Sequence, residues 1–95
     1  MSPIPQKLRK QLSEDPEYKI CARAMRSGHG GECRGRITFE HAILYANRQV
    51  QERWAIIPLC VYHHLGVGLN KRWNINYALS RATREELAKY PRLKI

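Results

Sequence analysis

Ile57-Pro58-Leu59-Cys60-Val61-Tyr62-His63-His64 is the stretch on which the reading of this chain turns. Pro58 has no backbone N–H and holds Ile57 in extended geometry, so the apolar residues 54–57 are expected to form a buried extended segment that ends there. Residues 59–65 can then open a helix, interrupted by Gly66 and Gly68. Two residues separate Cys60 from His63, the knuckle spacing that lets a thiolate and an imidazole reach one tetrahedral zinc at about 2.0–2.3 Å. His64 follows directly. In the first turn of a helix it points about 100° around from His63, away from that zinc and free to serve a different centre.

A closed zinc site needs four ligands. Cys21 and Cys33 are the natural second pair, because the turn Ser27-Gly28-His29-Gly30-Gly31 lets the chain fold back between them. The expected site is therefore Cys21, Cys33, Cys60 and His63, with His29 as the competitor of Cys21. Three cysteines cannot all pair within one chain, and Met1-Ser2-Pro3-Ile4-Pro5 lacks the apolar core of a signal peptide. A reducing compartment is expected, where thiols bind metals more often than they form disulfides. A structural metal also suits the length: 95 residues allow one domain, whose hydrophobic core alone would leave it marginal.

Upstream of the knuckle, Ile37-Thr38-Phe39-Glu40-His41 alternates and is rich in β-branched and aromatic residues, which predicts a strand. Neighbours on a strand point to opposite faces, so Glu40 and His41 converge only where the strand ends or bends. Residues 42–51 read as a loop with at most one helical turn. Downstream, residues 73–82 carry a helical pattern, and Thr83-Arg84-Glu85-Glu86 is a capping box that starts a last helix, ending at Tyr90 before Pro91. Periodicity does not decide residues 18–25. Residues 1–17 read as a basic arm with a helix-capable piece at 6–12, ordered on a partner, and residues 18–95 as the domain.

The formal charge is +9, from 17 Lys and Arg against 8 Asp and Glu. Such a balance points to a polyanion, either nucleic acid or an anionic membrane surface. No run of about 18 apolar residues exists, so no membrane span is expected. Arg34 and Arg36 precede the strand, Arg48 and Arg53 lie in the connecting loop, and Lys71 and Arg72 follow the knuckle. All six are candidate phosphate contacts, which position a nucleic acid without specifying its sequence. Tyr62 and Trp73 read as core residues rather than as base-stacking platforms, which disfavours an RNA-binding zinc knuckle.

Glu40-His41, followed by Ile57-Pro58-Leu59-Cys60-Val61-Tyr62-His63-His64, resembles the ββα-metal fold of HNH endonucleases. Many members carry an acidic residue and His on the first strand, then a Leu-Cys-x-x-Cys-His segment opening the helix. His63 stands at the second Cys of that segment and His64 at its catalytic His. The run Gly35-Arg36-Ile37-Thr38-Phe39-Glu40-His41-Ala42, with Arg48-Gln49 and residues 54–60, is similar to small phage- and prophage-borne proteins of this class. The resemblance covers roughly residues 20–90. It implies an α+β fold: a small ββα-metal (HNH, or His-Me finger) core stapled by structural zinc, with flanking helices. It also implies a metal-dependent DNA endonuclease that nicks or cuts both strands. His41 resembles the general base, for which its near-neutral ordinary pKa is suited. His64 resembles a ligand of the catalytic Mg²⁺ or Mn²⁺, and Glu40 matches the acidic ligand of that ion. The middle Asn of the family falls on Asn47, the only Asn between His41 and His64, while Gln51 offers the same hydrogen-bonding capacity. The expected partner is DNA and not a membrane, and the expected setting is the cytoplasm of a bacterial host carrying the phage or prophage. The oligomeric state stays open, a homodimer included. The alternative is a non-catalytic zinc module that binds DNA or a protein partner, which has no use for Glu40, His41 and His64 together.

Overall fold

The computed structural model describes residues 4–27, 33–66, 69–91 and 93. Along the chain run α1 (Gln6–Glu14), a 3₁₀ turn (Pro16–Lys19), α2 (Ala22–Ser27), β1 (Ile37–His41), β2 (Leu44–Tyr45), β3 (Arg48–Gln49), a second 3₁₀ turn (Arg53–Ala55), β4 (Ile56–Cys60), α3 (Val61–His64), α4 (Lys71–Arg81) and α5 (Arg84–Ala88). Helices and short antiparallel ladders mix, as an α+β class requires. The centre is a two-stranded antiparallel sheet, β1 against β4, in register from Ile37 opposite Cys60 to His41 opposite Ile56.

The strand expected at Ile37–His41 is present. Its partner differs from expectation, because Pro58 does not end the extended segment but lies in the middle of β4. The ladder explains this. Ala42 donates to the Ala55 carbonyl and Val61 to the Arg36 carbonyl, so the alternation puts the Phe39–Pro58 pair in a non-hydrogen-bonded position. Pro58 therefore has no ladder bond to lose, and its nitrogen faces the open edge of a two-stranded sheet. Trp54 and Ala55, read as extended, instead form part of the second 3₁₀ turn.

Residues 42–51 are not a helical loop. They form the hairpin of β2 and β3, closed by Ala46 at φ 52° and Asn47 at φ 65°. Two consecutive left-handed residues make the mirror-image turn that matches the twist of paired strands. Asn70 caps α4 by accepting from the Trp73 N–H, and both bonds of the capping box at Thr83 and Glu86 are formed.

Two apolar clusters hold the molecule together. The larger joins Trp54, Ile57 and Leu59 to Ile43, Val50, Tyr77 and Ala78, with Cys21 and Cys60 at its margin. The smaller joins Ile4, Leu12 and Tyr18 to Ile56, with Leu8 and Phe39 against it. Residues 4–17 are thus packed on the domain rather than held off as an arm. Leu12 is 1 % exposed, and the Arg9 guanidinium lies 5.6 Å from the centre of the Phe39 ring. The Tyr18 hydroxyl meets the carbonyls of Arg53 and Ile56 and accepts from Arg81, which ties the first 3₁₀ turn to both β4 and α4. Among the described residues, no helix is long and apolar enough to cross a membrane.

Candidate functional site

Four donor atoms converge where α2, β4 and α3 meet. Cys21 directly precedes α2, Cys60 ends β4 and caps α3, His63 is on the first turn of α3, and Cys33 comes from the approach to β1. His63 Nδ1 lies 3.5 Å from Cys21 Sγ, 3.8 Å from Cys33 Sγ and 3.1 Å from Cys60 Sγ. All four donors fall within 4.8 Å of one another. A tetrahedral zinc with its ordinary Zn–S and Zn–N bonds sets such S···N edges at about 3.6 Å, and the three observed distances lie on either side of that value, so the cluster could hold a metal such as zinc. His29 lies outside the described residues, and Cys21 takes the fourth position.

The charge balance of this cluster asks for a cation. Burial, then the neighbouring Cys21 and Cys60, push the Cys33 thiol up to about 12. Burial also opposes ionising Cys60. The backbone N–H groups of His63 and Arg34, helped by the Cys33 and Cys21 thiols, nevertheless hold it below the ordinary thiol range. A cation among these donors would offset the burial that raises Cys33.

His64, one residue beyond the cluster, turns to the other side of α3. Its Nδ1 is 2.5 Å from Thr38 Oγ1, and that hydroxyl is 2.8 Å from the Leu59 carbonyl. The carbonyl accepts only, so the single hydroxyl proton goes to Leu59 and Thr38 Oγ1 accepts from His64 Nδ1–H. This bond network assigns the Nδ1–H tautomer. The far nitrogen, Nε2, then presents a lone pair to Glu40 Oε1 at 3.4 Å. A lone pair and a carboxylate oxygen face each other, and a positive species must lie between them: a proton or a metal ion.

His41 is held differently. Its Nε2 is 2.9 Å from Gln51 Oε1, an acceptor, so Nε2 carries the proton and Nδ1 is left as a lone pair. Of the two amides between His41 and His64 singled out in the sequence, Gln51 is the one that meets the His41 ring. Asn47 is consumed by the hairpin turn, where its backbone is left-handed and its side chain exposed. Strand β1 ends at His41, and so Glu40 and His41 both border one cavity of about 420 Å³, with Lys71 and Asn74 of α4 on another wall.

The basic residues divide. Arg36, Arg48 and Arg72 are exposed, Lys71 is exposed at the cavity, and Arg34 lies 5.8 Å over the Tyr62 ring. Arg53 belongs to the fold instead. It pairs with Asp15 at 2.9 Å and Glu17 at 2.8 Å, and its guanidinium lies 5.3 Å over Tyr18. Two residues of the site escaped the sequence reading, Thr38 and Asn74. Thr38 shares a strand face with Glu40 by the period of two, which was the one signal available for it. Comparison with protein-family models, curated proteins and solved structures gives no match for this chain.

Proposed function

We propose that the chain is a metal-dependent DNA endonuclease of the ββα-metal kind, with a structural zinc on Cys21, Cys33, Cys60 and His63. The observation that carries the reading is the facing pair of His64 Nε2 and Glu40 Oε1 at 3.4 Å, with Glu40 also bordering the cavity that His41 lines. An imidazole nitrogen and a carboxylate oxygen this close are a donor set that would suit a divalent ion such as Mg²⁺ or Mn²⁺. His64 and Glu40 would hold that ion, which when bound stabilises charge on the phosphate and on the departing 3′ oxygen.

The chain's own residues supply the rest. Gln51 fixes the His41 ring with Nδ1 unprotonated, and that nitrogen takes a proton from the attacking water as its oxygen bonds to phosphorus. The P–O3′ bond breaks, and the 3′ oxygen leaves and is protonated by solvent. Thr38 holds His64 in the tautomer whose outer nitrogen is a ligand. The exposed Arg36, Arg48 and Arg72 supply attraction to the backbone.

Supercoiled plasmid incubated with the protein and Mg²⁺ or Mn²⁺ is expected to give nicked or linear product. Replacing His41 by Ala is expected to slow this by about 10²–10⁴-fold. Equal product from wild type and His41→Ala removes the nuclease reading. DNA binding with no cleavage by either leaves the alternative, a zinc module that binds without cutting.

A further inference from the structure

The cavity beside Glu40 and His41 has a wall with no part in the reaction as derived above. Helix α4 turns Lys71, Asn74 and Ile75 towards it, residues three and four apart and hence on one face. Asn74 is only 2 % exposed, and its Nδ2 has no hydrogen-bond partner among the described residues. A buried amide left unpaired is costly, and Leu, with the same number and branching of side-chain heavy atoms, occupies such a place beside a cavity without that cost. Ile43 and Leu79 line the same space together with the polar Glu40, His41 and Gln49, and none of these accepts from the Asn74 amide.

A ligand completes the picture. A neutral apolar guest would leave the amide unpaired. An anion with outward-facing oxygens pairs it and takes the countercharge of Lys71, on the wall of the cavity across from Glu40 and His41. We infer that Asn74 and Lys71 form a phosphate subsite, in which Asn74 Nδ2 donates to a non-bridging oxygen of the nucleic-acid strand and Lys71 balances its charge. That the phosphate belongs to a nucleic acid rests on the nuclease reading. The anion subsite itself rests on the cavity and the unpaired amide. Asn74 is thus a substrate-positioning residue beside the cleavage centre.

The test uses the zinc-loaded full chain labelled with ¹⁵N, titrated first with inorganic phosphate and then with the dinucleotide dTpT. The Asn74 side-chain amide signals, identified by their loss in Asn74→Leu, are expected to shift saturably with both. Lys71→Ala is expected to weaken that binding about threefold or more, the loss of one favourable charge contact. Asn74→Leu removes an unpaired polar group, so its Tm is expected to match or exceed that of wild type while the KM for plasmid rises about tenfold. An Asn74 amide that does not move with either ligand overturns the subsite, even where plasmid is cut in a His41-dependent way. A Tm lowered by several degrees in Asn74→Leu also overturns it, because the amide is then part of the fold. An amide that titrates in a protein that cuts no plasmid keeps the subsite and removes the nuclease reading instead.

Discussion

Thr38 Oγ1 lies 2.8 Å from the Leu59 carbonyl, to which it donates, and 2.5 Å from His64 Nδ1, from which it accepts. Thr38→Val keeps the branched shape on the strand and removes only the oxygen. The His64 ring then loses the partner that fixes its tautomer, and plasmid cleavage is expected to fall about 10–100-fold, the usual effect of removing a group that orients a metal-ligating histidine. Thr38→Ser is expected to retain most of the activity. Cleavage by Thr38→Val at the wild-type rate would show that the hydroxyl does not set the ring. At this scale the sequence was informative where spacing speaks. Cys60-x-x-His63 pointed to the cluster that Cys21 and Cys33 complete, and the adjacent His64 turns away from it as the spacing predicts. The partner of His64 was invisible, because Thr38 is 26 residues away in sequence and comes near only through strand pairing. The choice between Asn47 and Gln51 also waited on the backbone. Only the turn geometry shows that Asn47 is occupied elsewhere.

Gly35 leads into β1 at φ +82°, and a Cβ placed there would lie 3.0 Å from Val61 Cβ. Both the left-handed backbone and the close approach exclude a side chain, so β1 and the start of α3 are held in contact by the absence of one. Gly35→Ala is expected to lower stability by about 1–3 kcal/mol. In a domain this small that corresponds to a Tm loss of roughly 4–8 °C for each kcal/mol, readable by thermal denaturation. An unchanged Tm would mean that the approach to β1 yields freely. Among the elements, β1 and the capping box at Thr83 were legible because local chemistry alone specifies them. The hairpin was not. Its turn is Ala46-Asn47 where Asn-Gly is the usual signal, and alanine rarely adopts a left-handed φ. The passage of β4 through Pro58 was equally hidden. It depends on which face of the pair lacks hydrogen bonds, a property of two strands and not of one.

Two small apolar clusters hold the molecule, and four candidate ligands reach from residue 21 to residue 63. Binding a metal there closes long stretches of chain, so its binding energy is largely folding energy. The protein is expected to carry about one zinc per chain, and a strong chelator is expected to abolish its cooperative thermal transition and much of its helical circular dichroism. A zinc-free protein that melts cooperatively at the wild-type temperature would show that the apolar clusters suffice. The short helix α3 has a further consequence for how the chain can change over generations. His63 faces the thiols and His64 faces Glu40, with a single peptide bond between them. One residue inserted between them swings the second ring by about 100°, and one inserted between Cys60 and His63 opens the knuckle. Insertions and deletions are free to accumulate at the exposed hairpin tip, residues 46–47, where no ligand depends on phase. Among descendants of this chain, the span 59–64 is the part that must stay ungapped.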